Sequence, residues 1–125
     1  MSERDILKSC KHRLDYWQSI GIVVHYDRFN SGKIQYNGKW IQMCKSGTPD
    51  LIAYIKTNKE TCLIYFIECK RDDKQKLRTV QQNFKDKFIG LNNVMYEMVS
   101  HPRQIDITLE SITGYGQGLL DNIKL

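Results

Sequence analysis

Two unbroken apolar runs, Leu51 to Ile55 and Cys62 to Ile67, stand close together in the chain with a short polar interval between them. Runs this short suit strands rather than helices, and Thr57-Asn58-Lys59-Glu60-Thr61 reads as the turn that joins them. Neither run alternates polar with apolar residues, so both faces of each strand must be covered. A sheet in the interior, with helices laid on either side, meets that demand. The rest of the chain has to supply those helices.

It carries the signals to do so. Ser2 can cap a helix with Asp5 at capping-box spacing, and Leu7, Cys10, Leu14 and Trp17 follow at helical intervals before Gly21. This predicts a helix from about 3 to 19, with Glu3 on its inward stripe. Ile22 to Arg28 reads as a strand, and Asn37-Gly38 between Ile34-Gln35-Tyr36 and Lys39-Trp40-Ile41 as a tight hairpin. Leu77, Val80, Phe84 and Phe88 mark a second helix closed by Gly90, and Val94 to Val99 a further strand. His101-Pro102 opens a last helix with Ile105, Leu109 and Ile112 on its apolar stripe. The segment from Gly114 to Gly118 reads as a loose tail. The expected fold class is α/β, a mixed central sheet flanked by helices. With 125 residues the chain forms a single domain, 1–125, with a core of about 3–112 and a tail from 113.

The apolar fraction is 41%, enough for an ordered core and far too dispersed for a membrane span. With no apolar leader in the first residues, a cytoplasmic location is expected. Cys10, Cys44, Cys62 and Cys69 are scattered without zinc spacing, so free thiols are expected. The net charge of +5 points toward a polyanionic partner. Lys8, Lys11 and Arg13 lie along the first helix, while Lys70, Arg71, Lys74, Lys76 and Arg78 crowd one short stretch. A solvated charged face accounts for either cluster taken alone.

The catalytic expectation comes from the central hairpin. If its turn is centred on Lys59, Asp50 lies directly opposite Glu68, with Cβ atoms roughly 4.5–5.5 Å apart. Two carboxylates that close repel, and burying the pair is costly unless a divalent cation bridges them. Magnesium suits oxygen ligands and keeps several waters. Strand alternation puts Lys70 on the same face as Glu68 and turns Cys69 to the other, leaving the Cys69 backbone carbonyl within reach of the ion. Asp50 and Glu68 with an ion, and Lys70 beside it, form a kit for attack of water on a phosphodiester. A register slip of one residue would separate the carboxylates, leaving a surface hairpin with a modest Glu68–Lys70 ion pair.

The residues quoted resemble a known family. Gly47-Thr48-Pro49-Asp50, followed by an apolar strand ending in Glu68-Cys69-Lys70, resembles the PD-(D/E)xK nuclease superfamily. Gln81-Gln82-Asn83-Phe84 is similar to the glutamine helix of its VRR-NUC (virus-type replication-repair nuclease) branch, and Arg28-Phe29-Asn30-Ser31-Gly32 to the segment that precedes the catalytic hairpin there. The resemblance implies a restriction-endonuclease-like αβββαβ core. It implies Asp50 and Glu68 as ligands of Mg2+ or Mn2+, Lys70 as the catalytic lysine, and Gln81 as an orienting residue, with Gln82 the alternative phase. It also implies a first-helix glutamate near the metal, for which Glu3 is the candidate. Arg28, Lys70, Arg71, Lys74, Lys76 and Arg78 are the expected DNA contacts. Stand-alone domains of this length resemble phage proteins, and some family members resolve four-way (Holliday) junctions as homodimers. The implied function is thus a metal-dependent, structure-selective endonuclease of replication, repair or recombination, acting on branched DNA as a homodimer. Competing readings are a flap or restriction-type nuclease, a non-catalytic nucleic-acid-binding protein, and an interaction protein with no DNA role.

Overall fold

A computed structural model describes residues 1–29, 33–42, 44–57 and 60–114. Helix α1 spans Glu3–Ser19 and opens on the expected capping box: the Ser2 hydroxyl accepts from the Asp5 amide, and the Asp5 carboxylate accepts from the Ser2 amide. Strands follow as β1 (Val23–Arg28), β2 (Lys33–Tyr36), β3 (Lys39–Gln42), β4 (Leu51–Lys56) and β5 (Cys62–Cys69). Helix α2 (Thr79–Asp86), strand β6 (Val94–Val99) and helix α3 (Arg103–Thr113) complete the order. The four-stranded sheet runs β1-β4-β5-β6, with β2 and β3 pairing apart from it as a hairpin. β1 with β4 and β4 with β5 are antiparallel, while β5 with β6 is parallel, because α2 carries the chain back between them. The sheet is mixed, and the hairpin is inserted into an αβββαβ core.

Strand alternation divides the interior in two. On one side Leu51, Ala53 and Ile55 of β4 and Tyr65, Ile67 and Cys69 of β5 meet Ile6, Cys10, Leu14 and Trp17 of α1 and Ile105 and Leu109 of α3. On the other side Phe66 packs against Phe84 and Phe88, with ring centroids 5.1 and 4.8 Å away, and Tyr96 joins them. Each fully buried side chain of the first layer contributes about 1.5–3 kcal/mol; in the second only Phe66 is buried, and Phe84, Phe88 and Tyr96 are half-buried around it.

Three details differ from the sequence reading. The innermost first-turn residue of α1 is Ile6, 1% exposed, with Leu7 only partly buried, because Ile6, Cys10, Leu14 and Trp17 follow the 3.6-residue repeat more closely. Helix α2 starts at Thr79, leaving Leu77 in the preceding loop, because the Asp72 carboxylate accepts from the Lys74 and Gln75 amides and Arg78 is extended. Pro102 is the cap of α3 rather than its first residue. Gly114 ends α3 at φ 70°; the rest of the expected tail, like the Lys59 turn and Asn30-Ser31-Gly32, lies outside the described residues. All four cysteines are free. Among the described residues, no helix is long and apolar enough to cross a membrane.

Candidate active site

The register decides whether the two carboxylates meet. Leu51 pairs with Ile67 and Ile52 with Phe66, so one step further back Asp50 stands opposite Glu68, the alignment that the Lys59-centred turn requires. Asp50 sits just before β4, and its carbonyl accepts from the Phe29 amide at 2.8 Å, tying it to the end of β1. Its Oδ2 accepts from the Cys69 amide, also at 2.8 Å. Backbone and side chain are therefore both anchored, and the carboxylate is held against β5.

Glu68 and Lys70 point to the α2 side of the sheet, where they are 4% and 6% exposed. Gln81 joins them from α2. Its Nε2 donates to Glu68 Oε1 at 2.7 Å, and its Oε1 accepts from Lys70 Nζ at 2.9 Å and from the Arg78 amide at 2.8 Å. One amide thus links the helix start, the acid and the ammonium. Lys70 Nζ stands 3.9 Å from Glu68 Oε1. Gln82 is exposed and donates to Asp86, so Gln81 and not Gln82 faces Glu68 and Lys70.

The loop before Asp50 is pressed against α2. A Cβ on Gly47 would lie 2.2 Å from the Val80 carbonyl oxygen, and Gly47 has φ +92°. Only glycine fits that approach, so the Gly47-Thr48-Pro49-Asp50 segment and the Gln81 helix are fixed to one another.

Burial and like-charge repulsion set the electrostatics of the pair. Burial pushes the Glu68 carboxyl up to about 8, with the Asp50 charge adding to it, while Lys70 and Arg78 oppose the shift. Burial also raises Asp50; the nearby Glu3 charge works in the same direction, and the Cys69 amide, Arg28 and Lys70 work against it. Glu68 Oε2 is buried and has no hydrogen-bond partner. Two desolvated acids side by side, one with an orphaned oxygen, are a donor set that fits a hard divalent cation. Among the described residues no three His, Cys, Asp or Glu side chains gather into a cage. The Cys69 thiol points away from the site, beside Cys10 in the core.

A cavity of about 320 Å³ opens over these groups. Glu3 lines it, although exposed, since it continues the stripe of Ile6 and Cys10 beyond the core to the edge of the sheet. Lys76 and Arg78 line it too, with Thr48 and Gln75, two residues the sequence reading did not single out. Their signal was position: Thr48 lies inside the Gly47–Asp50 motif and Gln75 inside the basic stretch. Arg28 borders an adjoining cavity of about 330 Å³ that also reaches Asp50. Arg71 and Lys74 are exposed and line neither cavity. The buried Tyr96 hydroxyl has no hydrogen-bond partner, and the Glu68 and Asp50 charges add to the burial that raises it.

A solved structure described as a VRR_NUC domain superposes on this chain with a TM-score of 0.55 and 21% sequence identity, covering 88% of this chain and 96% of that one. The likeness spans nearly all of both chains and establishes a restriction-endonuclease-like VRR-NUC fold. No protein-family model and no curated protein sequence matches the chain.

Proposed function

We propose that a chain with this fold and this acidic pair is a metal-dependent, structure-selective DNA endonuclease. Its favoured substrate is branched DNA, and the most specific form of the reading is a phage-type four-way junction resolvase acting as a homodimer. The observation that carries the reading is the meeting of Asp50 and Glu68 on facing strand positions, with Lys70 and Gln81 closing around Glu68. A protein that only binds DNA gains nothing from two buried acids where phosphates must approach.

Asp50, Glu68 and the Cys69 carbonyl would hold Mg2+ or Mn2+; Glu3, which lines the cavity mouth without gathering with them, would act on the ion through water. When bound, the ion would supply Lewis-acid activation of water and of the scissile phosphate. Gln81 fixes the Glu68 carboxylate through Oε1 and leaves Oε2 free to act. The same amide holds the Lys70 ammonium in place, so its charge is pre-aimed at the negative charge that develops on a phosphate under attack. Lys76 and Arg78, with Arg28 across Asp50, would draw the DNA backbone over the pocket; Arg71 and Lys74 would add outer contacts.

The test pairs cleavage with binding. Lys70→Ala is expected to lose at least a hundredfold in cleavage of labelled junctions, flaps or splayed arms with added magnesium or manganese. A gel shift in chelator should show its DNA binding largely intact. Cleavage by the wild-type chain in excess chelator, or full activity in the variant, defeats the reading.

A further inference from the structure

The basic residues of α1 are not used by the site described above. Arg4, Lys8 and Lys11 recur at i, i+4 and i+7, which places them on one face of the helix, away from the core stripe. Together with Arg28 from the end of β1 they line a groove of about 430 Å³, whose other linings are Asp5 and Leu7. Asp5 is engaged at the helix start, where its carboxylate accepts from the Ser2 amide and hydroxyl. The groove shares Arg4, Leu7 and Arg28 with the cavity that reaches Asp50. A path with Lys11, Lys8, Arg4 and Arg28 along it therefore runs to Asp50, with Glu3 at its inner end, while Lys76 and Arg78 line the other cavity.

We infer that this groove is a second backbone track, which holds one strand of a nucleic acid by its phosphates as it leaves Asp50. The inference rests on the nuclease reading for its direction and on the groove alone for its ligand. Seven residues of helix rise about 10 Å, and one strand of a duplex carries a phosphate about every 3.4 Å of duplex axis. Three cations spread over that length face a short run of phosphates on one strand, and Arg28 meets the backbone where it enters the pocket. Arg13, the third basic residue of the first cluster, takes no part. Its Nε donates to Asp106 at 2.9 Å on the α3 side.

The experiment is equilibrium binding of fluorescent four-way and plain duplex DNA by the full chain, in chelator, over a series of salt concentrations. Lys8→Gln combined with Lys11→Gln should lower affinity on both DNAs by on the order of tenfold or more. It should also reduce the magnitude of the salt slope by about two. Lys8→Arg with Lys11→Arg should restore both values. Lys56→Gln, at the far end of β4 from Asp50, is the control for net charge. An unchanged slope in the double glutamine variant, or an equal loss per charge removed in the control, overturns the inference. Chelator keeps cleavage out of the measurement. A wild-type chain that binds but never cuts defeats the nuclease reading and spares the groove; a double variant that binds and cuts normally does the reverse.

Discussion

At the scale of single residues, Glu68 carries the most unusual chemistry. An acid whose folded-state value stands near 8, against about 4.5 when exposed, favours folding in its protonated form. Its contribution is fully present below the unfolded value and is lost as pH rises through about 8. The metal-free protein should therefore lose stability from this group as pH rises from 4.5 to about 8, with Asp50 acting in the same direction. Thermal melts of wild type and Glu68→Gln across that window measure the effect as a difference. The variant should lack most of the slope and be the more stable of the two at pH 8. Added Mn2+ or Mg2+ should stabilise the wild type at that pH and leave the variant nearly unmoved. Parallel curves for the two proteins would show that Glu68 is not under strain from burial. Gln81 sits beside it for a related reason: a neutral amide can donate to the acid and accept from Lys70 at once, whereas a charged group there would satisfy only one.

At the scale of elements, the legible parts of the sequence were those where burial and periodicity agree. The β4–β5 pairing could be read from two apolar runs and a short polar turn, but its register could not: runs covered on both faces leave a one-residue slip open, and the pairs Leu51–Ile67 and Ile52–Phe66 close it. The αβββαβ order could be read from caps and turn signals. Helix α2 was harder. Its innermost residue is the polar Gln81, 4% exposed, while Val80 is 38% exposed, so an apolar stripe drawn through Leu77 and Val80 points the wrong way at its start. A polar residue of the candidate site takes the inward position where periodicity expects an apolar one. The contact of Gly47 with Val80 was equally invisible, being a matter of two backbones. It makes Gly47→Ala a sharp test of how the loop and α2 are joined. The substitution should cost on the order of 2 kcal/mol or more, from positive φ and from the clash together. Cleavage should fall too as Gln81 moves. Gly21→Ala meets only open space at φ +84° and should cost about 1 kcal/mol without touching activity. Equal melting shifts for the two variants would mean that the loop moves freely away from α2.

At the scale of the whole molecule, the β2–β3 hairpin stands apart. A two-stranded hairpin alone is marginal in water, yet every residue of these strands is exposed, with Tyr36 62% and Trp40 68% open to solvent. The register puts Ile34 opposite Ile41 and Tyr36 opposite Lys39, so those four share one face, and Gln35 and Trp40 share the other. On the proposed reading one chain brings one metal centre and cuts one strand, and paired cuts across a junction need two centres related by a two-fold axis. An exposed Ile34–Ile41–Tyr36 face would supply a self-complementary patch for that purpose. Ile34→Asp combined with Ile41→Asp should then turn a dimer into a monomer by sedimentation. On four-way DNA it should replace paired incisions with single nicks, while the melting temperature changes little, since neither side chain belongs to the core. A wild-type chain that sediments as a monomer at working concentration, or a double variant that still pairs its cuts, would remove the hairpin from the interface. The second centre would then have to come from a different surface or from a second encounter with the DNA.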